Sequence, residues 1–352
     1  MRRILFDVRE IEKKKHSGIG RFVLSILKNK DYFKDYDFVL LGNKKTDFER
    51  GGLENCEKII INDFLPPFYE QFKLHKAIKK INPDIYFSPY YKYPVFAGVK
   101  TVACIFDLIY LSVEPYKSQL KNQLYIRSFI KFFTSKVNCI ITSSEHTKKD
   151  IQNFFNINDS KIKVVYLPID EKFKPQSRSD IERVKKKYSV DREYILYVGN
   201  NSFHKNVKVL YKAYTLLDEK MKWRYKLILA GFKDKKKEYQ SAFVIERVDD
   251  EDLPALYSGC SLFVFPSVYE GFGYPPLEAI SCGAKVVSSN LSSMPEILGD
   301  GVVYCNPYNP YDIKDKIVGV LENKIFPEGK TDLRRFSIDI FLNNIKSVLD
   351  SL

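Results

Sequence analysis

Short runs of valine, isoleucine, leucine and phenylalanine recur along this chain, separated by longer segments in which apolar and charged residues mix at helical spacing. No other feature constrains the fold so much. Strands covered by helices on both faces read as near-continuous apolar runs, and strands alternating with helices wind into parallel sheets. In the first half the runs predict strands at 3–8, 37–41, 58–61, 85–88, 100–105, 139–142 and 162–166, enough for one sheet. The polar segment 168–180, with two prolines, reads as a linker. A second series follows at 194–198, 226–230, 241–245, 262–266, 285–288 and 302–304. The expected fold class is α/β, with two doubly wound domains at 1–170 and 181–335. Segment 336–352, apolar at Ile338, Ile340, Phe341, Ile345, Val348 and Leu349, should close as a helix packing back onto the first domain.

A length of 352 residues agrees with two domains at roughly 150 residues each. Hydrophobic residues at 45% and charged residues at 29% describe a chain that buries a core and is not disordered. The net charge of +13 favours polyanionic partners: nucleic acid, an anionic membrane surface or phosphorylated small molecules. Cys56, Cys104, Cys139, Cys260, Cys282 and Cys305 form no C-x-x-C pair, so neither a zinc site nor a redox pair is indicated and a reducing cytoplasm is expected. The apolar run at Ile4-Leu5-Phe6 stops at Asp7, too short for a signal-peptide core, and no stretch approaches the ~20 apolar residues of a membrane span. The expectation is a soluble or peripheral protein.

Ligands in open α/β sheets bind beyond the carboxyl ends of strands, so chemistry is sought just after each strand. After the first strand comes His16-Ser17-Gly18-Ile19-Gly20-Arg21-Phe22-Val23. Val23 stands where a dinucleotide fingerprint needs its third glycine, which counts against a nicotinamide-dependent oxidoreductase. The two glycines fit either an ordinary turn or a helix start whose N–H groups approach an anion or a sugar hydroxyl. The densest constellation is Phe265-Pro266-Ser267-Val268-Tyr269-Glu270-Gly271-Phe272-Gly273-Tyr274-Pro275-Pro276-Leu277-Glu278-Ala279. It joins a strand exit, a Gly-x-Gly loop, a Pro-Pro helix start and two glutamates spaced E-x7-E. Proline suits a first helical turn, where its missing N–H would have been an orphan. Two carboxylates here can each grip adjacent sugar hydroxyls, or they can be surface residues of a capped helix.

This segment resembles the signature of the family 4 retaining glycosyltransferases, which have the GT-B fold of two Rossmann-like domains facing a cleft, and the resemblance implies an acceptor-side domain at 1–170 and a nucleotide-sugar-binding domain at 181–335. The resemblance extends from Val248-Asp249-Asp250-Glu251-Asp252 through Ser292-Ser293-Met294-Pro295-Glu296 to Asp300, with weaker matches at Gly18-Ile19-Gly20-Arg21, Phe106-Asp107-Leu108, Ser143-Ser144-Glu145-His146 and Tyr194 to Gly199 with Lys205-Asn206. It implies that Glu270 holds donor sugar hydroxyls, that backbone N–H groups of Gly271, Phe272, Gly273 and Tyr274 contact sugar and phosphate, and that Glu278 binds the ribose. Lys205, with His204 beside it, would neutralise the departing diphosphate. Gly18 and Gly20 would approach the donor from the first domain, Gly199 would belong to the donor-binding set, Val248 would lie near the base, and Asp107 would shape the donor or acceptor side. The implied partners are a nucleotide sugar and a saccharide or lipid-linked saccharide acceptor, with mannose or a related hexose transferred in bacterial surface polysaccharide synthesis, and no metal or other cofactor. Asp250-Glu251-Asp252 spells D-x-D but reads as an acidic helix start.

The chain departs from the family pattern at four places. Phe106 stands where the family has histidine, His204 where the basic pair has arginine, Glu246 where a glycine is usual, and Leu167-Pro168 where Asn-Gly is usual before the linker aspartate. The first of these motivates a non-catalytic rival, and a sugar-nucleotide epimerase or hydrolase on the same fold is another. His75 reads as a solvated helix-face residue, and His146 takes no catalytic role. Segment 117–136 has five positive charges, no acidic residue and interleaved Leu, Ile, Phe and Tyr. It reads either as a basic amphipathic helix on the anionic inner leaflet or as a helix packing its apolar face on the sheet. No nucleic-acid motif accompanies the charge.

Overall fold

Each apolar run pairs in parallel with runs distant in sequence, giving two sheets, each with helices between its strands. The computed structural model describes the chain apart from residues 13–16, 52, 54–55, 62–66, 92–97, 115, 117–119 and 235–236, with the backbone alone at 67–72, 120–126 and 129. Two units separate: Met1–Leu111, Lys117–Pro168 and Phe336–Leu352 form the first, Ser112–Tyr116 and Ile169–Arg335 the second.

The first unit holds β1 (Arg2–Asp7), α1 (Gly18–Leu27), β2 (Tyr36–Gly42), β3 (Glu57–Ile60), α2 (Pro67–Ile81), β4 (Ile85–Ser88), β5 (Lys100–Cys104), the short α3 (Ile109–Ser112), α4 (Leu120–Lys136), β6 (Cys139–Thr142), α5 (Glu145–Phe155) and β7 (Ile162–Val164). The strand order is β3-β2-β1-β4-β5-β6-β7, all parallel, so the winding reverses between β1 and β4. Phe6 stacks on Phe87 with centroids 4.4 Å apart, and Leu5, Val39, Tyr86, Ala103 and Ile140 lie in one fully buried layer. Burying each large apolar side chain in it contributes about 1.5–3 kcal/mol. Ser17 and Ser144 cap α1 and α5 by accepting from the N–H groups of Gly20 and Thr147. His75, expected on a solvated face, is half-buried with its Nδ1 out of contact with water.

The second unit holds α6 (Arg178–Lys187), β8 (Glu193–Val198), α7 (Val207–Thr215), α8 (Glu219–Arg224), β9 (Tyr225–Ala230), β10 (Phe243–Ile245), α9 (Leu253–Gly259), β11 (Leu262–Phe265), α10 (Tyr274–Ser281), β12 (Val286–Ser289), α11 (Met294–Leu298), β13 (Val303–Cys305) and α12 (Pro310–Leu321). Its parallel order, β10-β9-β8-β11-β12-β13, reverses between β8 and β11. β10 begins two residues later than the apolar run predicts, because the Ser241 N–H donates to the Tyr211 hydroxyl at 3.2 Å instead of entering the ladder.

The closing helix α13 (Ile338–Asp350) belongs to the first unit. Phe341 meets Phe22 edge to face at 5.5 Å, the Arg2 guanidinium donates to the Leu349 carbonyl at 3.0 Å, and the Tyr36 hydroxyl donates to Asp350 at 2.5 Å. Ile340, counted among its apolar positions, is 42% exposed, since it lies off the stripe formed by Phe341, Ile345 and Val348. Among the described residues no helix is long and apolar enough to cross a membrane. In α4 the described side chains Ile130 and Phe133 are buried, while Arg127, Lys131, Phe132 and Lys136 face solvent.

Candidate active site

A reversal of winding opens a crevice at the carboxyl edge of a sheet. In the second unit the strands flanking it are β8 and β11, whose exits run into Gly199–Lys205 and Pro266–Gly273. A Cβ at Gly199 would sit 2.7 Å from the Tyr197 hydroxyl, so the chain can turn there only with glycine. The next residues tighten into a 3-10 turn, Phe203–Lys205, which is stitched to the β11 exit. The His204 carbonyl accepts from the Val268 N–H at 2.8 Å and from the Ser267 hydroxyl at 3.0 Å.

That stitching brings Lys205 to Glu270. Nζ lies 2.7 Å from Oε1, with the two side chains 14% and 12% exposed. The Ser267 hydroxyl, its single proton shared with the His204 carbonyl, lies 2.6 Å from the same Oε1, and Lys205 sits 5.2 Å above the Phe265 ring centroid. Ser292 and Ser293, to which the sequence assigned no role, hold the carboxylate's backbone. The Ser292 hydroxyl accepts from the Glu270 N–H at 2.9 Å, and the Ser293 hydroxyl donates to the carbonyls of Glu270 and Phe272. Their only sequence signal was inclusion in the matched segment.

Gly273 precedes α10 with φ +97°, where a Cβ would come 2.2 Å from the Met294 methyl. Glycine is therefore required both for conformation and for space. Phe272 is buried, its ring edge to face with Tyr274 at 5.2 Å, so this loop presents backbone rather than the Phe272 ring. Pro275 and Pro276 occupy the first turn of α10, which starts four residues after Glu270. Neither glutamate is a surface residue. Glu278 is 3% exposed, one turn into α10, and accepts from the Tyr257 hydroxyl at 3.1 Å.

His204 departs from its expected part. Burial pushes its pKa down to about 4; Glu270 opposes the shift and Lys205 adds to it. The imidazole is therefore neutral near pH 7, not a second cation beside Lys205, and its Nδ1 is 3.4 Å from the Tyr116 hydroxyl. Val248 is half-buried in the loop after β10, between Glu246, paired with Lys233 at 3.1 Å, and Asp249. The D-x-D carboxylates are spent on cations: Lys172 holds Asp250 and Glu251, while Lys187 and Arg183 hold Asp252.

The remaining positions lie in the first unit. The Gly20 N–H is taken by the Ser17 cap at 3.0 Å, whereas Gly18, exposed at the start of α1, has open space where a Cβ would be. His16 lies outside the described residues. Asp107 is exposed and accepts from the Ile109 N–H at 3.2 Å. Phe106 turns its ring edge onto Phe22 at 4.9 Å, so the position that differs from the family histidine joins the aromatic core. At the β1–β4 reversal, Arg9 grips buried Asp7 through Nε at 3.0 Å and Nη2 at 2.6 Å, and the Tyr86 hydroxyl donates to Asp7 at 2.9 Å. The sequence showed Asp7 only as the end of an apolar run; a charged D-x-R directly after a buried strand was the available signal.

Comparison with known proteins bears on the family and the fold. The family described as Glycosyl transferases group 1 matches residues 179–335, and Glycosyltransferase Family 4 matches residues 45–173. O-antigen chain mannosyltransferase B of Escherichia coli is 34% identical over 204 residues, covering 54% of this chain and 54% of that protein. The serotype-specific mannosyltransferase WbdA of Escherichia coli is 31% identical over 245 residues, 64% of this chain and 30% of that protein. The chain thus spans about half the length of the first relative and under a third of the second. Among solved structures, Anabaena HepE in complex with UDP and glucose superposes with a TM-score of 0.77 at 16% identity, covering 100% of both chains. WaaG, a glycosyltransferase involved in lipopolysaccharide biosynthesis, gives 0.68 at 14% identity, covering 99% of this chain and 95% of that one. With both sheets, the E-x7-E loop and two successive family matches in agreement, the chain belongs to family 4 of the glycosyltransferases, with the GT-B fold.

Proposed function

We propose that this protein is a retaining, metal-independent hexosyltransferase that moves mannose from a nucleoside diphosphate sugar to a saccharide or lipid-linked saccharide in the assembly of a bacterial surface polysaccharide. The observation carrying this reading is the Lys205–Glu270 pair at the β8–β11 reversal, beside the glycine-led start of α10. Breaking the anomeric C–O bond puts negative charge on the departing diphosphate, and preorganised positive charge is the largest lever a protein has on such a step. Lys205 has three N–H donors; it can hold Glu270 with one and turn others to phosphate oxygens. The α10 N-terminus adds its dipole. Glu270, held by Ser267 and Ser292, is placed to accept from sugar hydroxyls, and Glu278 is the proposed ribose partner.

Mannose is favoured by the names of the two Escherichia coli relatives, both mannosyltransferases. The cation-bound D-x-D carboxylates support a reaction without metal. A cytoplasmic site, with segment 117–136 touching the inner leaflet, fits a lipid-linked acceptor. The test is transfer from GDP-mannose and other nucleotide sugars to an α-mannoside in the presence of EDTA, with the product's anomeric configuration read by NMR. An α-linked product is expected; only free sugar would mean a hydrolase, and no turnover would overturn the reading.

A further inference from the structure

The turn carrying His204 and Lys205 has another side. Phe203 is 60% exposed and Tyr308 70% exposed, and both line one cavity of about 590 Å³ within the second unit. That volume falls in the range of small-ligand sites. Val207, Val268 and Tyr269 line it too, while Asn201 and Ser202 contribute polar groups. Single exposed aromatics are ordinary, but these two are held together. Asn206, in the left-handed region at φ +58°, donates through Nδ2 to the carbonyls of Pro266 at 3.1 Å and Pro307 at 2.6 Å. One amide thereby ties the turn bearing Phe203 to the turn bearing Tyr308, and the Tyr308 N–H is itself fixed on Asn306 at 3.0 Å. The cavity's lining adjoins the candidate active site along the chain: Phe203 directly precedes His204 and Lys205, and Val268 and Tyr269 directly precede Glu270.

We propose that this cavity is a saccharide subsite, in which Phe203 and Tyr308 receive the C–H faces of pyranose rings of the acceptor chain beyond the sugar that reacts. A pyranose offers an apolar face edged by hydroxyls, which matches aromatic faces bordered by an amide and a hydroxyl. A phosphate ligand fits less well, since Lys208 on the same wall is engaged by Glu238 at 3.1 Å. The inference rests on the glycosyl-transfer reading, and its test separates the two.

The full chain, with Phe203→Ala, Tyr308→Ala and Tyr308→Phe, is titrated by NMR with methyl α-mannoside, α-mannobiose and α-mannotetraose, and separately with nucleoside diphosphates. Wild type should bind the longer sugars more tightly. Each alanine variant should lose about tenfold for the tetrasaccharide, Tyr308→Phe should keep wild-type affinity, and nucleotide affinity should not change. Binding in wild type that ignores length, or alanine variants that hold the tetrasaccharide as wild type does, would overturn the subsite. So would parallel loss of nucleotide affinity, which would make these rings supports of the loop. Length-dependent sugar binding in a wild type that takes no nucleoside diphosphate would uphold the subsite while removing the transfer reading.

Discussion

Lys205 and Glu270 share a proton-donating contact in a pocket where each is mostly shielded, so each depends on the other before any donor arrives. Replacing Lys205 with alanine should lower both diphosphate affinity and turnover, the latter by about 10²–10³-fold, as for loss of a preorganised charge partner. Glu270→Ala should chiefly reduce turnover, and Glu278→Ala, deep in α10 against Tyr257, should chiefly weaken nucleotide binding. Steady-state kinetics beside nucleotide titration checks the set; equal affinity and turnover in the two glutamate variants would remove the division of roles. His204 carries a stability signature. Its folded pKa, about 4, lies below the ordinary value of 6.5, so the unfolded chain binds more protons between those values. Stability from this residue is complete above about pH 6.5 and declines as the pH falls toward 4. His204→Gln should flatten that part of the acid limb in denaturant melts; an unchanged slope would mean that the imidazole is not shielded.

At the scale of elements, α13 shows how a distant segment completes a sheet's cover. Its first turn is capped by Ser337, and its stripe of Phe341, Ile345 and Val348 is buried in the first unit. Ser337→Ala should cost about 1 kcal/mol, read as a lowered denaturation midpoint with unchanged nucleotide affinity. The parallel strands were legible because a strand buried on both faces must be apolar at nearly every position, as Ile195–Tyr197 and Phe263–Phe265 are. The Gly273 loop was legible for a different reason: only glycine suits φ +97° against Met294, and only proline loses nothing in the turn that follows. What escaped depends on which strands become neighbours. Asp7, Arg9 and Tyr86 meet because β1 lies beside β4, seventy-nine positions apart for the Tyr86–Asp7 bond. Tyr257 finds Glu278, and Ser292 finds Glu270, across loops whose return paths no local pattern encodes. The neutrality of His204 likewise follows from burial by residues far along the chain.

For the molecule as a whole, the net charge of +13 calls for anionic partners, and the proposed ones are a nucleoside diphosphate and an anionic leaflet. On α4, Ile130 and Phe133 are committed to the core, while Phe132 is 47% exposed on the same helix as the exposed Arg127, Lys131 and Lys136. The packing reading of that helix holds for Ile130 and Phe133, and contact of its exposed residues with a leaflet is a proposal. Vesicles containing anionic phospholipid should retain the protein at low salt and release it as salt rises, and Lys131→Glu should weaken retention. Equal retention on neutral vesicles would contradict an electrostatic contact. The account's central claim is that the second unit binds a nucleoside diphosphate through Lys205, Glu278 and the α10 N-terminus. Calorimetric titration of the wild-type chain with GDP, UDP, dTDP and ADP in EDTA, followed by the matching nucleotide sugars, tests it most directly. The account predicts micromolar binding of one base, strengthened by its sugar and weakened in Lys205→Ala; no binding of any by well-folded protein would contradict it.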